Sequence, residues 1–529
     1  MLVNKSSIVI IFGRELASIY YDDMQFEVRF IPSRHVVKLQ QRALDLVEKY
    51  KLWPVLFPVS ADAGQLERYP IKIDRFFDEN ISQNPQQQIA INNIVSGISR
   101  PCPYIIYGPP GTGKTVTMTE AIKQVVTLLP NSCILACAVS NSATDILALK
   151  LVEFEPKIKI LRMYALYFDP NKIPQKIFFS SNFSEEDNNY FYPSPEELET
   201  YDVIICTVTT AGRLTSECLL GHFTHIFIDE AGFCMESELI VAIAGNLDLS
   251  KTQLVLAGDP KQLGPVIRSP FAKEYKLNIS LLERIMSNFQ LYKRESDQEF
   301  NQKVITKLIK NYRSHPDILK VVSDLFYDNE LQACADIAKV SKFCKWNVLP
   351  KTGFPLLIHS VVGKEQREGN SPSYFNPEEA CVVLRYIEKL YEYGASPQDI
   401  GVITPYCKQV QKINILLQKH KMKRVKVDSV EKFLGDERMI IIISTVRSNP
   451  DNAADDYKKC MLGFISNEKR LNVAISRPKA LLIIIGNIHC LRTDALWDRL
   501  ITYYIYNFHL ISLNTDWSKQ PKIFHAIIQ

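Results

Sequence analysis

Residues 108–115 read Gly-Pro-Pro-Gly-Thr-Gly-Lys-Thr and fit the pattern G-x-x-x-x-G-K-[ST]. The chemistry of such a segment is the binding of a polyphosphate. Gly108, Gly111 and Gly113 let the backbone wrap close to an anion. The loop N–H groups and the N-terminus of a following helix present positive partial charge to it. Lys114 reaches the terminal phosphates and the Thr115 hydroxyl is placed to ligate Mg²⁺, while Pro109, Pro110 and Thr112 complete the cradle. A plain Gly/Pro turn is the simpler alternative. Average composition makes a chance match in a chain of this length an event on the order of a few per cent. The flanks lower that further, with apolar Tyr104-Ile105-Ile106-Tyr107 before the loop and a helix-compatible stretch, 116–122, after it.

A phosphate loop needs a carboxylate for the metal and a base for water. His225-Ile226-Phe227-Ile228 runs into Asp229-Glu230-Ala231-Gly232, and a strand ending in two acids delivers both beside the phosphates. Asp229 is the expected Mg²⁺ ligand, and Glu230 the group that orients and deprotonates the attacking water. Gly258-Asp259-Pro260-Lys261-Gln262-Leu263 follows another apolar run, and Gln262 is placed to sense the γ-phosphate. Arginines stand in Asn311-Tyr312-Arg313-Ser314-His315-Pro316 and in Arg470-Leu471-Asn472-Val473-Ala474-Ile475-Ser476-Arg477. Each alone is more often a surface ion pair. Together, Arg313 and Arg477 suit stabilisation of charge on a transferring phosphoryl group from a second domain.

These residues need elements to hold them. From about residue 100 onward, short continuous apolar runs alternate with helical patterns, the signature of doubly wound α/β units with parallel strands covered on both faces. The expected strands are 104–107, 133–138, 203–207, 225–228, 253–257, 400–403, 425–429, 439–444 and 480–486. They fall into two parallel sheets, 84–283 and 311–490, with polar residues 294–303 as a linker. The expected domains are 1–80 as an N-terminal accessory segment, 81–290 as a first α/β domain and 291–529 as a second. Residues 156–200, rich in Tyr, Phe, Asn, Ser, Pro and acids, are expected as an insertion in the first domain.

Composition sets bounds. The chain has 529 residues, 46% hydrophobic and 23% charged, ordinary for a globular protein of two to four domains. Its net charge of +4 is weak support for a nucleic-acid partner. No apolar run reaches membrane-spanning length, and 6–12 is too short for a clear signal peptide. Twelve cysteines without a C-x-x-C pair argue against a disulfide framework or zinc ribbon, so a reducing compartment is expected. His222 and His225 have ligand-like spacing but no upstream partners, and read as core residues.

The motifs Gln87, GPPGTGKT, DEAG, GDPKQL, NYRSHP, the segment 429–437 and RLNVAISR occur in this order. In that combination the chain resembles superfamily 1 helicases of the up-frameshift-like group. Arg42-Ala43-Leu44-Asp45-Leu46, Leu52-Trp53-Pro54-Val55-Leu56-Phe57-Pro58, Glu368-Gly369-Asn370-Ser371-Pro372-Ser373 and Ile443-Ser444-Thr445-Val446-Arg447-Ser448 narrow the resemblance to the Mov-ten-like/Armitage RNA helicases. It covers nearly the whole chain from about residue 40 to 487. The resemblance implies two tandem RecA-like domains, ATP hydrolysis with Mg²⁺, binding of single-stranded RNA and 5′-to-3′ unwinding. It also implies work in small-RNA silencing with Argonaute- or Piwi-type partners, in the cytoplasm, in ribonucleoprotein granules or at the mitochondrial surface. A monomer is expected.

By matching position, the resemblance implies that Gln87 reads the adenine edge, Tyr312 stacks on the adenine, and Glu437 joins Gln262, Arg313 and Arg477 on the ATP side. On the RNA side it implies Ser140, Asn141, Thr207, Thr404 and Pro405, just past strand ends, where small hydroxyl and amide groups suit sugar–phosphate contacts. Ordinary loop capping is their alternative role. Two departures stand out. The family's Phe-Gln-Gly is Phe433-Leu434-Gly435 here, removing a polar handle between the ATP and RNA sites, and Pro478 stands where the family has Ala. The first eighty residues look short for a full accessory region, so a short paralogue or a truncated product is expected. Two other readings remain: an ATP-gated RNA clamp or silencing scaffold without productive unwinding, and a DNA helicase, which the 2′-hydroxyl would discriminate.

Overall fold

The computed structural model describes residues 2–3, 8–9, 18–21, 24–27, 34–59, 71–154, 158–215, 219–295, 299–448 and 462–507. Two parallel sheets dominate it. The first has seven strands: β1 (Tyr104–Tyr107), β2 (Ile134–Ala138), β3 (Ile160–Met163), β4 (Val203–Thr207), β5 (His225–Asp229), β6 (Gln253–Gly258) and β7 (Ile305–Lys307), in the order β7-β1-β6-β5-β2-β4-β3. The second has five: β8 (Leu356–Ser360), β9 (Ile400–Ile403), β10 (Lys426–Asp428), β11 (Arg438–Ser444) and β12 (Pro478–Gly486), in the order β8-β12-β11-β9-β10. The α/β fold with large parallel sheets is the expected one.

Strand composition explains the layering. Met439-Ile440-Ile441-Ile442-Ile443 and Leu481-Leu482-Ile483-Ile484-Ile485 carry no polar alternation because both faces are covered. Ile440 and Ile442 enter the core on one face, and Ile441 and Ile443 enter the core on the other, which is continuous with the first domain's. In β1, Tyr104 and Ile106 face one core, and Ile105 and Tyr107 the opposite one. Each fully buried aliphatic side chain contributes about 1.5–3 kcal/mol.

Nine helices carry the argument below: α1 (His35–Lys49), α2 (Pro85–Ser96), α3 (Lys114–Leu128), α4 (Asn141–Val152), α5 (Glu236–Ile243), α6 (Pro316–Phe326), α7 (Pro377–Glu392), α8 (Cys407–Lys419) and α9 (Glu468–Ile475). In the segment expected to be accessory, α1 lies on α5. Its buried Ala43 and Val47 join the first domain's core, and Arg42 donates to the Thr215 carbonyl. Residues 71–78 strap the same domain, with Phe77 N–H bonded to Glu120 at 2.8 Å.

Two boundaries differ from the expected ones. Residues 305–307 pair with β1, so the first sheet closes beyond residue 290. A strand of only three residues, Ile-Thr-Lys, is too short for its periodicity to register. The insertion begins after Met163, because 160–163 pairs with β4 as the sheet's edge. Arg162 at the centre of that strand interrupts the apolar pattern; its guanidinium is buried on Asp145 at 2.8 Å. The remaining inserted residues form short 3-10 turns, a two-stranded hairpin, 183–184 with 189–190, and one short helix, Pro195–Leu198. No described helix is long and apolar enough to cross a membrane.

Candidate active site

The chain leaves β1 at Tyr107 and turns through Gly108–Gly113 into α3. Gly111 (φ 72°) and Gly113 (φ 86°) adopt left-handed backbone, which only glycine enters without steric cost. A Cβ on Gly108 would lie 2.1 Å from Cγ of Lys114, so that glycine lets the lysine stem lie along the loop. The Lys114 ammonium donates to the Gly108 carbonyl. Burial lowers its pKa, against the opposing pull of Asp259 and Asp229. The Thr112 hydroxyl donates to the Pro109 carbonyl at 2.7 Å and closes the loop on itself.

Two strands away, β5 delivers both acids. Asp229 accepts from the Thr115 hydroxyl at 3.0 Å and from the Glu230 N–H at 2.8 Å. Glu230 has φ 54°, a conformation a non-glycine residue holds only at a cost of order 1–3 kcal/mol. Burial pushes its carboxyl up to about 7, and the neighbouring Asp229 adds to the rise. Burial also raises Asp229. The hydroxyl of Thr115 beside the carboxylate of Asp229 is a pair of hard oxygen donors. That fits Mg²⁺, which takes one or two protein ligands and otherwise waters and substrate phosphates. Among the described residues no group of three His, Cys, Asp or Glu is gathered for a metal.

The second domain supplies the facing wall. Arg313 Nε bonds Glu437 at 2.5 Å and its Nη1 bonds the Ser476 carbonyl at 3.1 Å. Burial works to raise the Glu437 carboxyl, but Arg313 and Lys479 outweigh it and hold it low. Arg477 donates to Gln262 Oε1 at 3.0 Å across the domain boundary. It is buried, and desolvation with the nearby Arg313 charge lowers its pKa to about 9. Between the walls lies a cavity of about 640 Å³ lined by Lys114, Asp229, Glu230, Gln262, Arg313 and Arg477, among others.

A buried relay that motif reading missed ties the walls together. Gln262 Nε2 bonds Asp259 Oδ2 at 2.7 Å, and the same oxygen accepts from the Tyr327 hydroxyl at 2.7 Å. That hydroxyl accepts from Asn472 Nδ2 at 2.7 Å, and Asn472 also donates to the Lys261 carbonyl at 2.7 Å. Asn472 and Asp259 lie inside motifs already singled out, whereas Tyr327 at the end of α6 carries no local signal. Gly435 was missed as well. Its φ is 76°, and a Cβ there would meet Glu230 Oε1 at 3.1 Å. Leu434 beside it lines the cavity.

Tyr312 also lines the cavity. Its hydroxyl accepts from Asn84 at 2.9 Å and its N–H bonds the Gly111 carbonyl at 2.9 Å. Asn311 Nδ2 bonds the Pro110 carbonyl at 2.7 Å, so this segment is pinned to the phosphate loop. Gln87 sits behind the loop, with its amide nitrogen on Thr117 at 2.9 Å. Pro478 begins β12 opposite Arg438, a position where the missing N–H is tolerated.

The RNA-side candidates divide. Ser140 follows β2 and Thr207 follows in register on β4, where Ala138 pairs with Thr207. Both side chains cap helices, Ser140 accepting from Ala143 N–H at 3.2 Å and Thr207 from Thr210 N–H at 3.3 Å. Asn141 accepts from Arg162 at 2.9 Å. Thr404 and Pro405 follow β9, at the carboxyl edge of the second sheet, whereas Arg477 precedes β12 at its amino edge. The register Ile403–Ile443–Ile484 places these two ends roughly 20 Å apart along the strands. The nucleotide candidates thus occupy β1, β6 and β5 of the first sheet, and the RNA candidates occupy β2 and β4 next to them.

Comparison with known proteins agrees with this arrangement. One AAA-domain family model matches residues 82–190 and 175–270, and a second AAA-domain model matches 277–489. The chain is 46% identical over 511 residues to the putative helicase mov-10-B.1 of Danio rerio, covering 93% of this chain and 50% of that protein. It is 44% identical over 469 residues to the RNA helicase Mov10l1 of Homo sapiens, covering 86% and 38%. With the probable RNA helicase armi of Drosophila melanogaster it shares 32% over 528 residues, covering 92% and 44%. The chain therefore spans at most about half the length of these relatives. With paired AAA-domain matches over two facing parallel sheets and this level of identity along most of its length, the chain belongs to the Mov-ten-like and Armitage family of helicases.

Proposed function

We propose that the protein is an ATP-dependent RNA helicase that hydrolyses ATP to ADP and phosphate and moves along single-stranded RNA, 5′ to 3′. The observation that carries the reading is the bond from Arg477 to Gln262, made across the domain boundary in the cavity that also holds Lys114 and Glu230. A site built from both domains senses a γ-phosphate by bringing them together. Glu230 takes the proton of the attacking water as the water oxygen bonds the γ-phosphorus and the bond to the β–γ bridging oxygen breaks. Lys114, Arg313 and Arg477 balance the charge that spreads over the departing groups. Mg²⁺, held by Thr115 and Asp229, would supply further charge neutralisation at the phosphates. Loss of the γ-phosphate removes what Lys114 and the arginines share, and the cleft relaxes.

The RNA would run along the carboxyl edges of β2, β4 and β9, past Ser140, Asn141, Thr207, Thr404 and Pro405. Each hydrolysis cycle would change the spacing between the two sheets' edges. Strand displacement on a duplex with a 5′ single-stranded RNA overhang tests this: wild type unwinds it with ATP, and Lys114→Ala does not. Absence of ATPase activity with any RNA would refute the reading.

One observation favours a second reading. Leu434, where the family pattern has Gln, places an apolar side chain in the wall of the cavity that Glu230 also lines. An ATP-gated clamp would hydrolyse ATP with RNA but displace no strand, and the same assay separates the two. Matched RNA and DNA competitors test the preference for RNA.

The resemblance further supports a place in small-RNA silencing with Argonaute- or Piwi-type partners, in the cytoplasm, in ribonucleoprotein granules or at the mitochondrial surface. Co-purification of small RNAs with the tagged protein, together with its localisation by fluorescence microscopy, tests this. Recovery of no small RNA would count against it.

A further inference from the structure

Beyond the residues assigned above, the first sheet's outer edge carries a recess whose chemistry the nucleotide site does not use. A cavity of about 310 Å³ is lined by Met163, Tyr192, Pro193, Leu198, Arg213 and Leu214. Met163 is the last residue of β3 and pairs in register with Cys206, so the recess opens at the carboxyl edge, one strand beyond Thr207. Arg213 comes one turn after the short helix that Thr207 caps, its N–H on the Thr210 carbonyl at 3.0 Å. Its guanidinium lies over the Tyr192 ring, 4.6 Å from the centroid. Arg213 is exposed, and among the described residues no carboxylate pairs with it.

We infer that Arg213 and Tyr192 form a stacking platform for one unstacked base of the bound single-stranded RNA. The exposed Arg213 guanidinium stacked on the half-buried Tyr192 ring contributes about 0.5–1 kcal/mol, so stability alone is a weak reason for the pair. A guanidinium with its inner face on an aromatic ring offers its outer face to a base and its N–H edge to a phosphate or a base acceptor. The flanking wall of Met163, Pro193, Leu198 and Leu214 is apolar, as a base plane prefers. The position fits a continuous track. Ser140, Thr207 and this recess follow β2, β4 and β3, which are neighbours in the sheet and about 5 Å apart per step. Unlike Ser140 and Thr207, whose side chains are occupied as helix caps, Arg213 has donors to spend. The inserted residues after Met163, which supply Tyr192 and Pro193, thereby extend the RNA path outward from the cleft.

The inference rests on the RNA reading above, and the test separates the two. Fluorescence anisotropy of a labelled single-stranded RNA is measured with the full chain as wild type, Arg213→Ala, Tyr192→Leu and Tyr192→Phe. A matching RNA carries a single 2-aminopurine moved through its sequence. Arg213→Ala and Tyr192→Leu are expected to weaken binding at least about five-fold, the low end for loss of one stacked base. Tyr192→Phe, which keeps the ring, stays near wild type. One 2-aminopurine position should be quenched in wild type and recover its emission in Arg213→Ala. Melting midpoints within about 2 °C of wild type check that the variants fold. Wild-type affinity and unchanged quenching in Arg213→Ala would overturn the inference and leave the RNA reading standing, with the recess then a site for another partner, such as a peptide. Wild type that binds no single strand would overturn both.

Discussion

Glu230 enters the cavity on a left-handed backbone with a carboxyl that burial and Asp229 raise to about 7. As the base it must be ionised, so hydrolysis should fall about ten-fold per pH unit below roughly pH 7, and a pH–rate profile under single-turnover conditions checks this. Glu230→Gln should lower hydrolysis by about a hundredfold or more while a fluorescent nucleotide still binds. Gly435→Ala probes the same carboxylate from the opposite side. The new Cβ would meet Glu230 Oε1 at 3.1 Å on a backbone of φ 76°. The expected results are a stability loss of about 1–2 kcal/mol in denaturant unfolding and a displaced acid limb in the pH profile. At this scale the sequence was readable where chemistry is contiguous: Lys114, Asp229, Glu230, Arg313 and Arg477 stand in short motifs, and the fold gathers them around one cavity. Gly435 was quoted only as part of a motif, because its pressure on Glu230 comes from a residue more than two hundred positions away. Ser140 and Thr207 pose the reverse difficulty. A hydroxyl after a strand is equally a helix cap and a ligand, and here it is at least the cap.

Elements are joined by polar relays that no local pattern announces. Tyr327 at the end of α6 links Asp259 after β6 to Asn472 in α9. Tyr327→Phe leaves two buried polar partners short of a bond and should cost about 1–3 kcal/mol in denaturant unfolding. It should also weaken the stimulation of ATPase by RNA, since α9 carries the chain to Arg477. A second relay sits at the other end of the second sheet. Glu379 near the start of α7 is fully buried and accepts from the Ser444 hydroxyl at 2.7 Å and the Val446 N–H at 2.8 Å, holding Val446 at φ 72°. Burial pushes its carboxyl up to about 8, although these bonds oppose the rise. The folded state therefore holds a proton that the unfolded chain releases above about pH 4.5. The associated stability is full below that value and is lost as pH rises through about 8. The urea midpoint of wild type should decline between about pH 5 and 8 and level off above that, and that of Glu379→Gln should decline less. Long Ile/Val/Leu strands such as β11 and β12 were legible from their lack of alternation, whereas β3 and β7 were not. Arg162 breaks the apolar run of the first, and three residues give the second no period.

The whole molecule places two parallel sheets so that the carboxyl edge of one meets the amino edge of the other across the nucleotide cavity. The motif order showed that two such sheets should share a site. It did not show how tightly they are joined in this conformation, where Arg477 reaches Gln262, Asn472 reaches the Lys261 carbonyl and Lys469 pairs with Glu283 at 2.8 Å. These bonds connect residues roughly 200 positions apart, a distance over which spacing carries no information. They make domain closure the event that hydrolysis should control. Arg477 tests this most directly, because it belongs to the second domain and bonds a residue of the first. The decisive measurement is single-turnover ATP hydrolysis at saturating RNA for wild type and Arg477→Ala, with nucleotide affinity measured in parallel. If the second domain completes the site, hydrolysis falls by about a thousandfold while nucleotide affinity changes only a few-fold. Hydrolysis at the wild-type rate in Arg477→Ala would contradict a shared site.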